Sequence, residues 1–280
     1  MALPAFAKLN LTLEVLGRRP DGYHEVRTIL QTIDLADLLT VRPADALQVQ
    51  CDDPALDGEA NIVWQAAAAL AERKGVRPRA LISIEKNIPV GMGLGGGSSD
   101  AATALLALNR MWGPALPIGE LAQIAGGLGA DVSFFLWGGA AVASGKGEEI
   151  QPLPQLPSTP VTLICPNATI PNKTASLYSA LTPEHYSGGE STRRLAEILE
   201  AGKFVGDGVY NVFDEVAPQV FPELDGLRQR VSTLTNSRLH LSGSGPALFC
   251  IPSNEEEHLR VSNALQPMLA RVYFVHTVSP

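Results

Sequence analysis

Apolar and polar residues alternate strictly from Ala7 to Val15. Ala7, Leu9, Leu11, Leu13 and Val15 fall on one side, and Lys8, Asn10, Thr12 and Glu14 on the other. A period of two predicts a strand with one apolar face, and it sets Lys8 and Asn10 together on the polar one. A turn-rich segment, Gly17-Arg18-Arg19-Pro20-Asp21-Gly22-Tyr23-His24, leads to a second strand over 26–34 and further β structure over 37–50. The Ala-rich stretch from Asn61 to Lys74 has a polar start and Gly75 as a stop, which predicts a helix. Residues 80–86 read as a strand.

Ser98-Ser99-Asp100 opens a second Ala- and Leu-rich helix, which ends at Gly113-Pro114, and a third is expected from Pro117 to Leu128. Residues 129–136 then join it to a strand over 138–145. Four prolines punctuate 151–160. Beyond them the pattern predicts a strand over 161–166, helices near 172–181, 192–202 and 210–234, a strand–glycine turn–strand over 239–251, a helix over 254–269 and a last strand over 271–278. Strands and helices mix without strict βαβ alternation, so the expected class is α+β rather than a doubly wound parallel sheet. The proline-rich segment is the natural boundary between two lobes, 1–150 and 161–280.

Composition narrows the partners. The 280 residues are 45% hydrophobic, enough for a well-buried core. The net charge of −8, with no Lys- or Arg-rich run, argues against nucleic acid as a partner. Cys51, Cys165 and Cys250 are far apart and form no Cys-x-x-Cys pair, so they are expected to be buried free thiols in a reducing compartment, and no dedicated protein metal site is expected. No signal-peptide pattern opens the sequence and no apolar run is long enough to span a membrane, so a cytoplasmic protein without a membrane partner is expected.

The densest candidate chemistry lies in Pro89-Val90-Gly91-Met92-Gly93-Leu94-Gly95-Gly96-Gly97-Ser98-Ser99-Asp100. Five glycines in seven residues satisfy Gly-x-Gly-x-x-Gly. The preceding strand leaves through the polar Glu85-Lys86-Asn87, however, and no later strand ends in the acidic residue that ribose binding needs. A Walker loop fails because Gly97 stands where its lysine should be. A flexible linker would not run from a strand into a helix. What remains is a phosphate cradle of unobstructed glycine amides at a helix N-terminus, with Ser98 and Ser99 capping the helix, bonding phosphate or holding a magnesium-bound water.

Three further segments accompany this loop: Ala7-Lys8-Leu9-Asn10-Leu11 with Arg18-x-x-Asp21-Gly22-Tyr23-His24, Leu128-Gly129-Ala130-Asp131-Val132-x-Phe134-Phe135, and Ser242-Gly243-Ser244-Gly245-Pro246. Together they resemble the GHMP superfamily of small-molecule kinases over most of the chain. The Asp-Gly-Tyr-His element points, within it, to kinases acting on a cytidine diphosphate-linked methylerythritol. The resemblance implies a two-lobed fold with the site in the cleft, ATP with Mg²⁺, and transfer of the γ-phosphate to the 2-hydroxyl of that small molecule. It implies that Pro89 to Ser99 wrap the ATP phosphates, with Asn61 on the adenine side. It implies a catalytic carboxylate at Asp131 with Lys8 beside it. Tyr23 would stack on cytosine, His24 would hydrogen-bond it, and Asn10 and Thr174 would lie against the substrate. The superfamily motif usually has proline where this chain has Ser133, which bears on local backbone geometry.

The residues alone leave blander alternatives open. Asp131 could be a helix N-cap. Lys8 could be a solvated strand residue, His24 an exposed turn residue, and Ser242 to Gly245 a tight turn. Other acceptors on the same scaffold (homoserine, mevalonate or a sugar) and a non-catalytic nucleotide-binding regulator are the competing functions.

Overall fold

Two long antiparallel strands, β1 (Ala2–Arg18) and β2 (His24–Arg42), hold the site in the computed structural model, which describes residues 1–155, 157–167, 171–204, 206–235, 237–268 and 270–279. The expected break between 34 and 37 is absent. β2 runs through it, taking up the irregularity as a register shift opposite Phe6/Ala7. There follow β3 (Gln48–Cys51), α1 (Ile62–Lys74), β4 (Leu81–Glu85), α2 (Gly96–Met111), α3 (Ile118–Leu128), α4 (Ala130–Phe135), β5 (Ala140–Ser144) and β6 (Glu149–Pro152). The second half supplies β7 (Pro160–Cys165), α5 (Lys173–Ala180), α6 (Glu190–Glu200), β8 (Tyr210–Asn211), α7 (Phe213–Val220), α8 (Asp225–Ser232), β9 (His240–Leu241), β10 (Leu248–Cys250), α9 (Glu255–Leu265) and β11 (Arg271–His276). This is an α+β arrangement, as expected.

One sheet has the order β3-β4-β2-β1-β8, with β5 and β6 branching from β2; the other has the order β11-β7-β10-β9. The chain crosses from one to the other within the proline-rich segment, of which Leu156 lies outside the described residues. It crosses back once, because β8 pairs in parallel with β1 at Thr12 and Leu13. Helices α1, α2 and α3 cover one face of the first sheet, burying Val63, Leu70, Leu105, Leu108 and Leu121 against Leu39, Val41 and Ile82. On the other face Ala7, Leu9 and Leu11 meet Val161, Leu163 and Phe249 of the second sheet and Leu195 and Leu199 of α6. The two sheets therefore share a core.

The alternation of 7–15 conceals a bulge. The pairing steps from Asn10–Leu30 to Thr12–Ile29, and the Ile29 amide donates to the Thr12 hydroxyl at 2.9 Å. An extra residue in one strand exchanges the faces of everything beyond it. Lys8, Asn10 and Leu13 consequently line one cavity, while Thr12 and Glu14 turn to α6. The polar residues of β1 do not share one solvated face: Lys8, Asn10, Thr12 and Glu14 are all buried. Glu14 accepts the amides of Thr192 at 2.7 Å and Ser191 at 3.2 Å and the Ser187 hydroxyl at 2.9 Å, so a strand carboxylate satisfies the open amino end of α6.

Three other boundaries differ from the sequence pattern. The helix expected over 210–234 divides into β8, α7 and α8. Pro218 is accommodated inside α7, which ends at Val220: Phe221, the residue before Pro222, is pushed out of the helical region to φ −131° and ψ 60°. The segment expected only to join α3 to a strand is itself helical, with Gly129 as the N-cap of α4. The last helix ends at Leu265, and Leu269, at the end of its expected span, lies outside the described residues. Cys165 and Cys250 are buried thiols, each pushed up to about 12 by burial, whereas Cys51 is only half-buried.

Candidate active site

The glycine loop is held by its neighbours rather than by its own preferences. Gly93 and Gly95 have φ of 80° and 74°, where a side chain is strained. A Cβ on Gly93 would run into the Ser242 carbonyl oxygen, and one on Gly95 would come within 2.8 Å of the Phe135 ring. The Ala247 amide donates to the Met92 carbonyl at 3.2 Å and the Ser242 hydroxyl to that of Gly93 at 3.2 Å. The Ser242–Gly245 turn is thus a wall of the loop.

The helix after the loop begins earlier than the serines suggest. Gly95 is the N-cap of α2, Gly96 and Gly97 form its first turn, and the Ser99 amide already bonds back to the Gly95 carbonyl at 2.8 Å. Ser98 and Ser99 do not cap the helix. The reason is tertiary: glycines packed this closely against Phe135 and Ile88 can enter the helical turn without a side-chain cap. The amides of Gly96, Gly97 and Ser98 have no intrahelical acceptor and leave open donors at the positive end of the helix. Ser99 is buried and lines a groove with Phe6, Thr103 and Phe135 instead.

Three cavities string along this cleft. A first, of about 230 Å³, is lined by Pro89, Val90, Gly91, Leu94, Gly95, Gly96 and Gly97 together with Asn61. Asn61 is also the N-cap of α1, accepting the Val63 amide at 2.8 Å and donating to the Leu56 carbonyl at 2.7 Å. Beneath the first turn of α2, the Lys86 ammonium pairs with Asp37 and with Asp100 at 2.7 Å. Burial, with Asp37 adding to it against the pull of Lys86, raises Asp100 to about 7. Its second oxygen has no hydrogen-bond partner among the described residues.

The middle cavity, about 170 Å³, holds Lys8, Asn10, Gly93, Asp131 and Thr174. Lys8 Nζ lies 3.5 Å from Asp131 Oδ2 and donates to Asn10 Oδ1 at 2.7 Å. Asn10 Nδ2 in turn donates to the Thr28 hydroxyl at 2.8 Å. Asn10 therefore orients Lys8 with one end and is anchored by the other. Asp131 sits in the first turn of α4 and is not its N-cap. Ser133 continues the same helix and is buried, so its presence leaves the Asp131 segment helical. The Thr174 hydroxyl meets that of Ser244 at 2.8 Å, bridging α5 to the C-terminal glycine turn.

The third cavity, about 970 Å³, is the largest of the three and contains Tyr23, His24, Lys146, Tyr178 and Tyr186. The ring of Tyr23 is exposed, with Lys146 Nζ 4.9 Å over it. The His24 ring lies on Tyr178, which stands edge-on to Phe213, centroids 5.0 Å apart. Burial, with Arg18 nearby, holds His24 below the usual imidazole range. Burial followed by Asp131 pushes Tyr178 up to about 12. Tyr178 and Lys146 had no motif of their own, although the spacing of four from Thr174 already placed Tyr178 on the same helix face. Lys173, whose ammonium donates to the carbonyls of Gly91, at 2.6 Å, and Gly245, gave no signal either.

A glycine loop feeding a helix N-terminus, a lysine–carboxylate pair at its end and a deep acceptor cavity beyond define a small-molecule kinase of the GHMP type. Residues 61–139 match the family GHMP kinases N terminal domain. The chain is 37% identical over 281 residues to the 4-diphosphocytidyl-2-C-methyl-D-erythritol kinase of Dehalococcoides mccartyi, with 100% of this chain and 99% of the relative covered. A crystal structure of 4-(cytidine 5'-diphospho)-2C-methyl-D-erythritol kinase superposes with a TM-score of 0.83 at 36% identity, covering 99% of this chain and 100% of that one. The chain belongs to the 4-diphosphocytidyl-2-C-methyl-D-erythritol kinase family. Homoserine kinase from Cytophaga hutchinsonii shares the fold, with a TM-score of 0.73 at 17% identity, 99% of this chain and 95% of that one being covered. Among the described residues no helix is long and apolar enough to cross a membrane, and no cluster of three or more His, Cys, Asp or Glu stands ready to hold a metal.

Proposed function

We propose that the protein transfers the γ-phosphate of ATP to the 2-hydroxyl of 4-diphosphocytidyl-2-C-methyl-D-erythritol, in the cytoplasm and without a nucleic-acid partner. The observation that carries this reading is the place of the Lys8–Asp131 pair. It stands in the middle cavity, between the glycine loop and the cavity of Tyr23, His24 and Tyr178. Residues 1–150 are read as the ATP-binding lobe and 161–280 as the lobe that closes the cleft.

Phosphoryl transfer demands alignment and charge compensation more than covalent help from the protein. Pro89 to Gly97 and the amides at the start of α2 hold the triphosphate, with Ser98 donating its amide. The residues fit that group: a Cβ at Gly93, Gly95 or Gly96 would collide with Ser242, Phe135 or Ile88, and the two carboxylates that line the cavity are already engaged, Asp57 by the Cys51 amide and Asp100 by Lys86. Mg²⁺ bound with ATP would neutralise the β- and γ-oxygens, the triphosphate rather than the chain being its main holder. Asp131 takes the proton of the substrate hydroxyl as its oxygen attacks the γ-phosphorus and ADP leaves, and Lys8, 3.5 Å from the carboxylate, compensates charge on the transferred group. His24 offers ring nitrogens to the base edge, Tyr178 supports its plane, and Tyr23 supplies the exposed face for cytosine.

An ADP-release assay across a panel of this cytidyl substrate, homoserine, mevalonate and sugars tests the assignment. Turnover is expected with the cytidyl substrate. Folded protein that leaves it untouched, or that prefers another member of the panel, overturns the reading.

A further inference from the structure

Lys173 is the first residue of α5, yet its side chain reaches away from the helix into the seam between two loops. Its ammonium donates to the carbonyl of Gly91 in the phosphate loop, at 2.6 Å, and to that of Gly245 in the C-terminal glycine turn. Among the described residues it has no carboxylate partner. Burial and the neighbouring Lys8 ammonium bring it down to about 8. A half-buried lysine spent on two carbonyls, close to a second lysine, is costly unless an anion arrives nearby.

The peptide plane gives this contact a consequence. In a trans peptide the carbonyl and the following N–H point in opposite directions. Holding the Gly91 carbonyl on Lys173 therefore fixes the direction of the Met92 N–H, within a loop whose amides are its means of binding phosphate. Gly91 is not packed like its neighbours: among the described residues a Cβ there would meet no atom within 4 Å. Gly93, by contrast, is held by direct packing against the Ser242–Gly245 turn. The open end of the loop is where a tether is needed.

We propose that Lys173 is a positioning residue of the phosphoryl transfer, a clamp that ties the phosphate loop to the C-terminal glycine turn and sets the loop amides for the ATP triphosphate. The inference rests on the reading of this cleft as an ATP site. It adds a lysine from the second half of the chain to a loop that belongs to the first.

Binding of a non-hydrolysable ATP analogue and of adenosine to wild type, Lys173→Met and Lys173→Arg, with KM for ATP and kcat measured alongside, tests it. Lys173→Met is expected to weaken the analogue by about tenfold and raise KM for ATP to match, leaving adenosine within about twofold, because only the phosphates use the loop. Lys173→Arg, which keeps the charge and the donors, is expected to recover most of the loss. Equal losses for adenosine and the analogue would reduce Lys173 to a structural role, and no loss would remove it from the site. Should Lys173→Met fail to melt cooperatively, Lys173→Gln decides by the same comparison, since glutamine is too short to span both carbonyls. Binding needs no phosphoryl acceptor. A wild type that phosphorylates none of the panel but shows the analogue-specific loss refutes the acceptor and keeps the clamp.

Discussion

The imidazole of His24 lies on the phenol ring of Tyr178, centroids 4.8 Å apart and planes 17° from parallel. One comes from the start of β2 and the other from α5, so the largest of the three cavities is assembled from both halves of the chain. With Tyr186 edge-on at 6.1 Å, His24 is held on two sides before any substrate arrives. Tyr178→Ala is expected to raise KM for the cytidyl substrate by about tenfold while KM for ATP stays put, and Tyr178→Phe to behave nearly as wild type. Steady-state kinetics with each substrate varied in turn checks this. An unchanged acceptor KM in the alanine variant would detach the stack from recognition.

Asp131→Asn keeps the size of the side chain and removes the proton acceptor. A fall in kcat of about a hundredfold or more is expected, with affinity for a non-hydrolysable ATP analogue retained. Near-normal kcat would leave Asp131 without a chemical part, and loss of the analogue would make it a binding residue instead.

Glu14 is far in role from the catalytic pair although it is only six residues beyond Lys8. Glu14→Ala strands two amides at the start of α6 and the Ser187 hydroxyl. A loss of about 2 to 4 kcal/mol in unfolding free energy is expected. Denaturant melts measure it, and a change below about 0.5 kcal/mol would mean that solvent replaces the carboxylate without cost.

Asp100 links stability to pH with a definite sign. Its carboxyl is raised in the folded protein to about 7, so the unfolded chain gives up this proton at lower pH than the folded one. The resulting stabilisation is complete below the unfolded carboxylate range and is lost as pH rises through about 7. Asp100→Asn abolishes this titration. Between pH 5 and pH 8 wild type is expected to lose about 2 kcal/mol relative to the variant. Melts at the two pH values check it, and parallel pH dependence of the two proteins would contradict it.

The chemistry-bearing residues were easier to read from the sequence than the geometry that deploys them. Lys8, Asp131 and the glycine loop stand in motifs, and the structure brings them into one cleft. The bulge at Leu11 was invisible, because alternation over 7–15 looks the same whether or not a residue is inserted into the ladder. The start of α2 at Gly96 was hidden for a related reason: glycine has poor helix propensity, and only packing against Phe135 and Ile88 makes its entry into the first turn favourable. Pro222 was a readable stop inside the expected 210–234 helix, outweighed there by the surrounding apolar pattern. Lys173 was unreadable, since its acceptors are backbone carbonyls 82 and 72 residues away.

The two-residue strand Tyr210–Asn211 bears on the order in which the enzyme is made. Its neighbour in the sheet is the strand that carries Lys8, and more than half of the chain must leave the ribosome before the two can pair. Until then the flank of β1 at Thr12 and Leu13 is an open edge, and the Ser242–Gly245 wall of the cleft has not yet been made. Cutting the gene at the proline-rich segment would leave that edge bare in one product and a strand without a sheet in the other. Lys8 is encoded almost first, and its strand is flanked on this side only after residue 211 has been added.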